Sequence, residues 1–115
     1  MKTATRQRVD RLFRAFSDRT RLRILHMLLG GELCVCHIVD VLGVPQPKAS
    51  RHLAYLRKVG LVRARKEGRW SYYKLAPART KLHRKLIDCL GCCCEGMPEL
   101  LQDDEELGRK RLCCD

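Results

Sequence analysis

Residues 35–60 constrain the fold more than any other stretch. Val35, Ile38, Val39 and Leu42 recur at helical spacing, Gly43-Val44-Pro45 breaks the pattern, and Ala49, Leu53 and Leu56 resume it until Gly60. Two short amphipathic helices joined by a turn of about three to four residues with a glycine have the spacing of a helix-turn-helix pair. Pro47 marks the start of the second helix, because its missing N–H would have no partner at the first helical position. Gln46, preceding that proline, is expected to be extended.

Elements on either side complete a small domain. Val9, Leu12, Phe13 and Phe16 predict a first helix; Ser17-Asp18 offers the N-cap of a second, which carries Leu22, Leu25, Leu28 and Leu29 and ends at Gly30-Gly31. After Gly60 the period shifts from helical to alternating. LVRAR and WSYYKL, on either side of Lys66-Glu67-Gly68-Arg69, predict a β-hairpin with a basic tip. Leu82, Leu86, Cys89 or Leu90, and Cys93 predict a fifth helix, interrupted at Gly96 and Pro98. The expected fold class is mainly α with a β-hairpin, a winged helix-turn-helix. Residues 1–94 are expected to form the domain. Residues 95–115 are expected to be a cysteine-ended tail, either a short helix over 98–107 or flexible.

Charge points to the partner. The net charge of +11 lies wholly in the first two thirds: residues 1–75 hold 17 Lys and Arg against 5 Asp and Glu, and residues 76–115 hold 7 against 8. A basic domain is the footprint of a polyanion. Nucleic acid fits better than a membrane surface, since no helix joins a basic face to a large apolar one. No apolar run approaches the roughly 18 residues of a membrane span, and the basic N-terminus lacks the apolar core of a signal peptide, so a cytoplasmic protein is expected. The second helix of the pair enters the major groove of double-stranded DNA in such folds. Its outer face is Lys48, Arg51, His52 and Tyr55, flanked by Ser50 and Arg57 and preceded by Gln46. Lys66 and Arg69 of the hairpin would lie near the phosphates or the minor groove. Two recognition helices reach successive half-sites only in a dimer, so the apolar first and fifth helices are expected to form a two-fold interface.

The runs SDRTRLRIL, ELCVC, QPKASRHLAYLRKVGLV and RKEGRWSYYKL resemble the ArsR/SmtB family of metal-sensing repressors, over roughly residues 8–90. The likeness is strongest to its arsenic-responsive branch. It implies a dimeric repressor on the operator of a resistance operon, released by trivalent arsenic or antimony, or by cadmium, zinc or lead in related branches. The chain departs from the pattern at Val39, where arsenic sensors carry a third cysteine. No cysteine precedes Cys34, and Pro45 replaces a serine cap.

The eight cysteines suit that reading. In a reducing compartment they read as metal ligands or reactive thiols more than as a disulfide framework. Cys34 and Cys36 lie at a helix start, whose unpaired N–H groups favour the thiolates that soft trivalent arsenic prefers. Residues two apart on a regular helix point about 200° apart, so binding one ion to both is expected to unwind that turn. Cys89, Cys92, Cys93 and Cys94 form a second cluster. It can complete the first site, form a separate site, or supply core positions of the fifth helix. Cys113-Cys114 is a further vicinal pair at a chain end. A catalytic constellation is absent, so no enzyme is expected. A thiol carrier would not need QPKASRHL or the basic hairpin. A thiol-redox repressor keeps the DNA reading and changes only the signal.

Overall fold

The computed structural model describes residues 8–113, with side chains described for 8–109. The first two helices are α1 (Val9–Ala15) and α2 (Arg19–Leu28). Asp18 caps α2 as its sequence predicts, accepting the Arg21 N–H at 3.0 Å. This satisfies one of the donors that every helix start leaves unpartnered.

The helix pair is α3 (Val35–Leu42) and α4 (Gln46–Val59). Gly43 ends α3 at φ 68°, a left-handed conformation that a Cβ disfavours. Pro45 stands at the N-cap of α4 without a side-chain cap, and its carbonyl accepts from Lys48 and Ala49 at 3.0 and 3.1 Å. Gln46 is therefore the first helical residue and not an extended one. The bias of a residue before proline is only a preference. Here Pro47 lies in the first turn, where it forfeits no hydrogen bond, and the helical Gln46 closes that turn. At the far end the Leu61 N–H returns to the Leu56 carbonyl at 2.9 Å and the Gly60 N–H to Arg57 at 3.1 Å. That double closure with Gly60 at φ 94° is a Schellman motif, and the buried Leu61 leads the chain into the sheet.

The hairpin is β2 (Val62–Glu67) and β3 (Trp70–Leu75), antiparallel, with Glu67 opposite Trp70. Its loop is the pair Gly68-Arg69. Gly68, at φ 63°, occupies the first central position, where a type II′ turn requires a positive φ. A third strand was not evident from the sequence. β1 (Leu33–Cys34) pairs antiparallel with β3, Leu33 opposite Tyr73 and Cys34 opposite Tyr72, giving the order β1-β3-β2. Cys34 is thus extended, at φ −68° and ψ 141°, and caps α3 from outside.

α5 (Lys81–Cys89) is shorter than its apolar pattern suggests. Leu90–Glu95 continues as a 3₁₀ helix, where Gly91 and three successive cysteines are poor helix formers. This 3₁₀ helix runs through residues 94 and 95. α6 (Glu99–Cys113) packs on α2 and α3, burying Leu100 and Leu107. The reason is an ion pair in the core wall. Arg23 of α2 donates through Nε and Nη2 to both carboxylate oxygens of Asp103 at 2.9 Å, and it reaches the Val41 and Leu42 carbonyls at 3.2 and 3.4 Å. A second pair joins Arg19 to Glu99 at the start of α6. Among the described residues no helix is long and apolar enough to cross a membrane. The Cys113 side chain and Cys114 lie outside the described residues.

Asp103 is 4 % exposed, so its loss leaves a half-buried guanidinium unpaired. Asp103→Ala is expected to cost about 2–3 kcal/mol, read as a lowered denaturation midpoint. A variant as stable as the parent would show that α6 is not held in this way.

Candidate functional site

Two groups of side chains carry the chemistry. The first is the outer face of α4 and the tip of the hairpin. Gln46, Lys48, Ser50, Arg51 and Arg57 are exposed, as are Lys66 and Arg69. They offer cations and hydrogen-bond donors to a phosphate backbone and to base edges.

His52 and Tyr55 are less accessible than the rest of that face. Both are half-buried against α2, because α1 and α2 cover a wider arc of α4 than Leu53 and Leu56 define. Arg21 organises the contact. Its guanidinium lies 4.5 Å from the centre of the Tyr55 ring and 3.5 Å from His52 Nδ1. Its remaining donors bond the Ala15 and Arg14 carbonyls at 3.1 and 2.8 Å. Burial holds the His52 pKa below its ordinary value; Asp18 opposes this, and Arg21, Lys48 and Arg51 reinforce it. The imidazole is therefore neutral near pH 7 and adds no charge to the basic face. The Tyr55 hydroxyl is buried without a hydrogen-bond partner. Arg21 was missed in the sequence, where it reads as one more charge on a solvated helix.

The hairpin is tied along its length by Arg65. Arg65 donates to both oxygens of Glu32 at 2.9 and 2.8 Å and to Glu67 at 2.6 Å, with its guanidinium 4.5 Å from the centre of the Tyr72 ring. The hydrogen bond from Arg65 holds the Glu32 carboxyl below the usual range. Arg69 lies over the exposed Trp70 at the tip.

The second group is the thiols. Cys34 Sγ and Cys36 Sγ are 2.8 Å apart, the first buried and the second exposed. This corrects the expectation that the two cannot face one ion while the turn stays helical. Cys34 leaves the helix in an extended conformation, which swings its sulfur to meet Cys36 with α3 intact. The pair sits at the N-terminal end of α3.

The C-terminal cysteines are less uniform. Cys89 and Cys92 are exposed, while Cys93 and Cys94 are half-buried. The change from α to 3₁₀ at Leu90 breaks the shared helical face that the spacing suggests. Cys89 Sγ donates to the Leu86 carbonyl at 3.2 Å and Cys93 Sγ to the Cys89 carbonyl at 3.6 Å. Burial, then the neighbouring Cys89, Cys92 and Cys94, push the Cys93 thiol pKa up. Among the described residues, no three Cys, His, Asp or Glu side chains are already gathered as a metal site.

Comparison with known proteins fits this geometry. Residues 18–64 match the family described as bacterial regulatory protein, arsR family. An uncharacterized HTH-type transcriptional regulator of Methanocaldococcus jannaschii is 47 % identical over 83 residues, covering 71 % of this chain and 93 % of that one. The arsenical resistance operon repressor of Escherichia coli is 47 % identical over 78 residues, covering 67 % of each. A cadmium resistance regulatory protein homolog of Staphylococcus aureus is 36 % identical over 91 residues, covering 72 % and 75 %. Among solved structures, HlyU of Vibrio cholerae superposes with a TM-score of 0.64 at 34 % identity, over 78 % of this chain and 94 % of that one. A homodimeric winged helix-turn-helix domain of Mycobacterium bovis gives 0.62 at 31 % identity, over 79 % and 82 %.

The placement of Arg51 and Tyr55 is testable on a DNA fragment from the gene's own promoter. Arg51→Ala is expected to weaken binding and to lower the slope of log affinity against log salt by about one. Tyr55→Phe removes only an unpartnered hydroxyl and should stay within about 0.5 kcal/mol of the parent. Equal losses in fluorescence anisotropy titrations would put Tyr55 back on the DNA face.

Proposed function

The chain belongs to the ArsR family of DNA-binding transcriptional regulators, and from that premise we propose that it is a homodimeric repressor of an arsenic-resistance operon, released when trivalent arsenic or antimony binds Cys34 and Cys36. The observation that carries this reading is the 2.8 Å approach of the two sulfurs on a residue with two structural jobs. Cys34 caps α3, and it pairs with Tyr72 in β3.

The proposed mechanism follows from those jobs. A soft ion takes the two thiolates and a third sulfur, drawn from residues 89–94 or from a small thiol in solution. Bonding to one atom resets the distance between the sulfurs. The shift is delivered to β3 through the ladder and to α4 through α3, which packs against it. The basic tip and the recognition face then lose their mutual alignment. The ion releases DNA only to the extent that it binds the misaligned form more tightly.

Dimerisation has its own support. Val9 and Phe13 of α1 are 60 % and 52 % exposed, and Leu82, Leu86 and Ile87 of α5 are half-buried. These apolar surfaces suit a two-fold interface, and the domain from M. bovis is itself homodimeric. The second reading is a soft divalent cation on the same thiolates, favoured by the likeness to a cadmium resistance regulator.

The test is release of a labelled promoter fragment from the reduced protein at fixed salt. Near-stoichiometric arsenite is expected to lower the affinity by about 10- to 100-fold. Cys34→Ser/Cys36→Ser is expected to bind the DNA normally and to ignore arsenite. Release that persists in the double variant would falsify the assignment. Release by cadmium but not arsenite would move it to the second reading.

A further inference from the structure

A second set of donors involves neither Cys34 nor Cys36. His26, in the last turn of α2, is 6 % exposed. Its Nε2 is 3.6 Å from Cys94 Sγ, across 68 positions of sequence. Its Nδ1 is buried with no hydrogen-bond partner, yet Asp104 Oδ1 of α6 stands 3.7 Å away. An open cavity of about 310 Å³, lined by His26, Asp104, Gly30 and Leu107 among others, adjoins the Asp104 side of the ring.

We propose that Cys94 Sγ and His26 Nε2 are two preplaced ligands of a zinc-class divalent cation, with Asp104 orienting the imidazole from its far side. The separation fits. Bonds of about 2.3 Å to sulfur and about 2.0 Å to nitrogen at a tetrahedral angle put the two ligand atoms about 3.5 Å apart. The far-side carboxylate fits as well, since a ligating histidine commonly donates its other N–H to one. The cavity gives the exposed Asp104 room to close the remaining gap. Without metal the contact is a thiol–imidazole hydrogen bond. On binding, the thiol gives up its proton to solvent and the metal takes that proton's place between sulfur and nitrogen. Cys92 or Cys93, on the same 3₁₀ turn, and water complete four ligands. The mixed sulfur and nitrogen set selects a borderline divalent ion over trivalent arsenic, which has no use for imidazole. Such a site would clasp α2 to the cysteine-rich turn. It uses neither Cys34 nor Cys36, and with Cys94 and a neighbour engaged the third sulfur of the inducer site above would come from Cys89 or from a small thiol in solution.

Cobalt(II) is the probe, because tetrahedral thiolate coordination gives it sulfur-to-metal charge-transfer absorption and intense visible bands. The reduced full chain carrying Cys34→Ser/Cys36→Ser is used, so that those thiols cannot report. One equivalent is expected to bind with both signatures, to be displaced by zinc, and to raise the thermal midpoint. Adding Cys94→Ser is expected to abolish the charge-transfer band or weaken binding by at least about 10-fold, and Asp104→Asn to weaken it by about 10-fold with the spectrum retained. Cys113→Ser/Cys114→Ser is expected to change nothing. His26→Gln is expected to match Cys94→Ser; because that ring is buried, the Cys94 and Asp104 variants decide if it fails to fold. Undiminished binding in the Cys94 variant, or no charge-transfer band in the starting protein, overturns the site and leaves the arsenite result untouched.

Discussion

Two residues of extended chain, Leu33 and Cys34, determine how the parts of this protein are joined. They are too few to form a strand alone. They hold only because β3 offers a free edge, and because the residue that ends the ladder is also the one that begins α3. Without that pairing the hairpin would be held to the helices by side-chain packing on α2, α3 and α4 and by the chain at Gly60, with no backbone ladder to the segment before α3. With it, the sheet is tied at two places, before α3 and after α4, and the helix pair is held between them. The close approach of the Cys34 and Cys36 sulfurs is a by-product of the same geometry. A residue that is extended for the sheet, two positions before an exposed one in the first turn of α3, has its side chain turned toward that one.

The DNA-facing surface shows how charge is divided by packing. α4 presents basic and polar residues around much of its circumference, but α1 and α2 take part of it. Arg21 settles the boundary by stacking on Tyr55, meeting His52 and bonding two carbonyls at the end of α1. A cation used in this way keeps its charge, but its donors and its ring contact are committed within the fold. Lys48, Arg51, Lys66 and Arg69 remain, all exposed, and they supply the long-range attraction.

Much of this was legible in the sequence, for physical reasons. The helix pair could be read because apolar residues repeat at helical period on both sides of Gly43-Val44-Pro45. The hairpin could be read because the period changes and a glycine marks the turn. β1 could not, since two residues have no period, and Val35 already belongs to the helix. α6 was obscured by its own chemistry. Its inner face is Leu100, Asp103 and Leu107, and a buried carboxylate in an apolar stripe looks like solvent-facing charge until Arg23 is seen beside it. His52 and Tyr55 were placed outward by opposition to Leu53 and Leu56, a rule that overlooks the flanks of the buried stripe, where Arg21 reaches both. The meeting of His26 with Cys94 leaves no local trace at all, since only the folded chain brings them together.

The Arg65 anchor has a consequence for the whole complex. Its bonds to Glu32 and Glu67 run between exposed side chains, where dissolved ions screen attraction effectively. The phosphate contacts of the recognition face weaken with salt for a separate reason, the release of condensed counterions. Raising ionic strength therefore acts on the protein as well as on its ligand, slackening the ties along the hairpin while it erodes the grip of α4. For a chain that grips DNA through that face, occupancy is then expected to fall more steeply with salt than a count of neutralised phosphates implies.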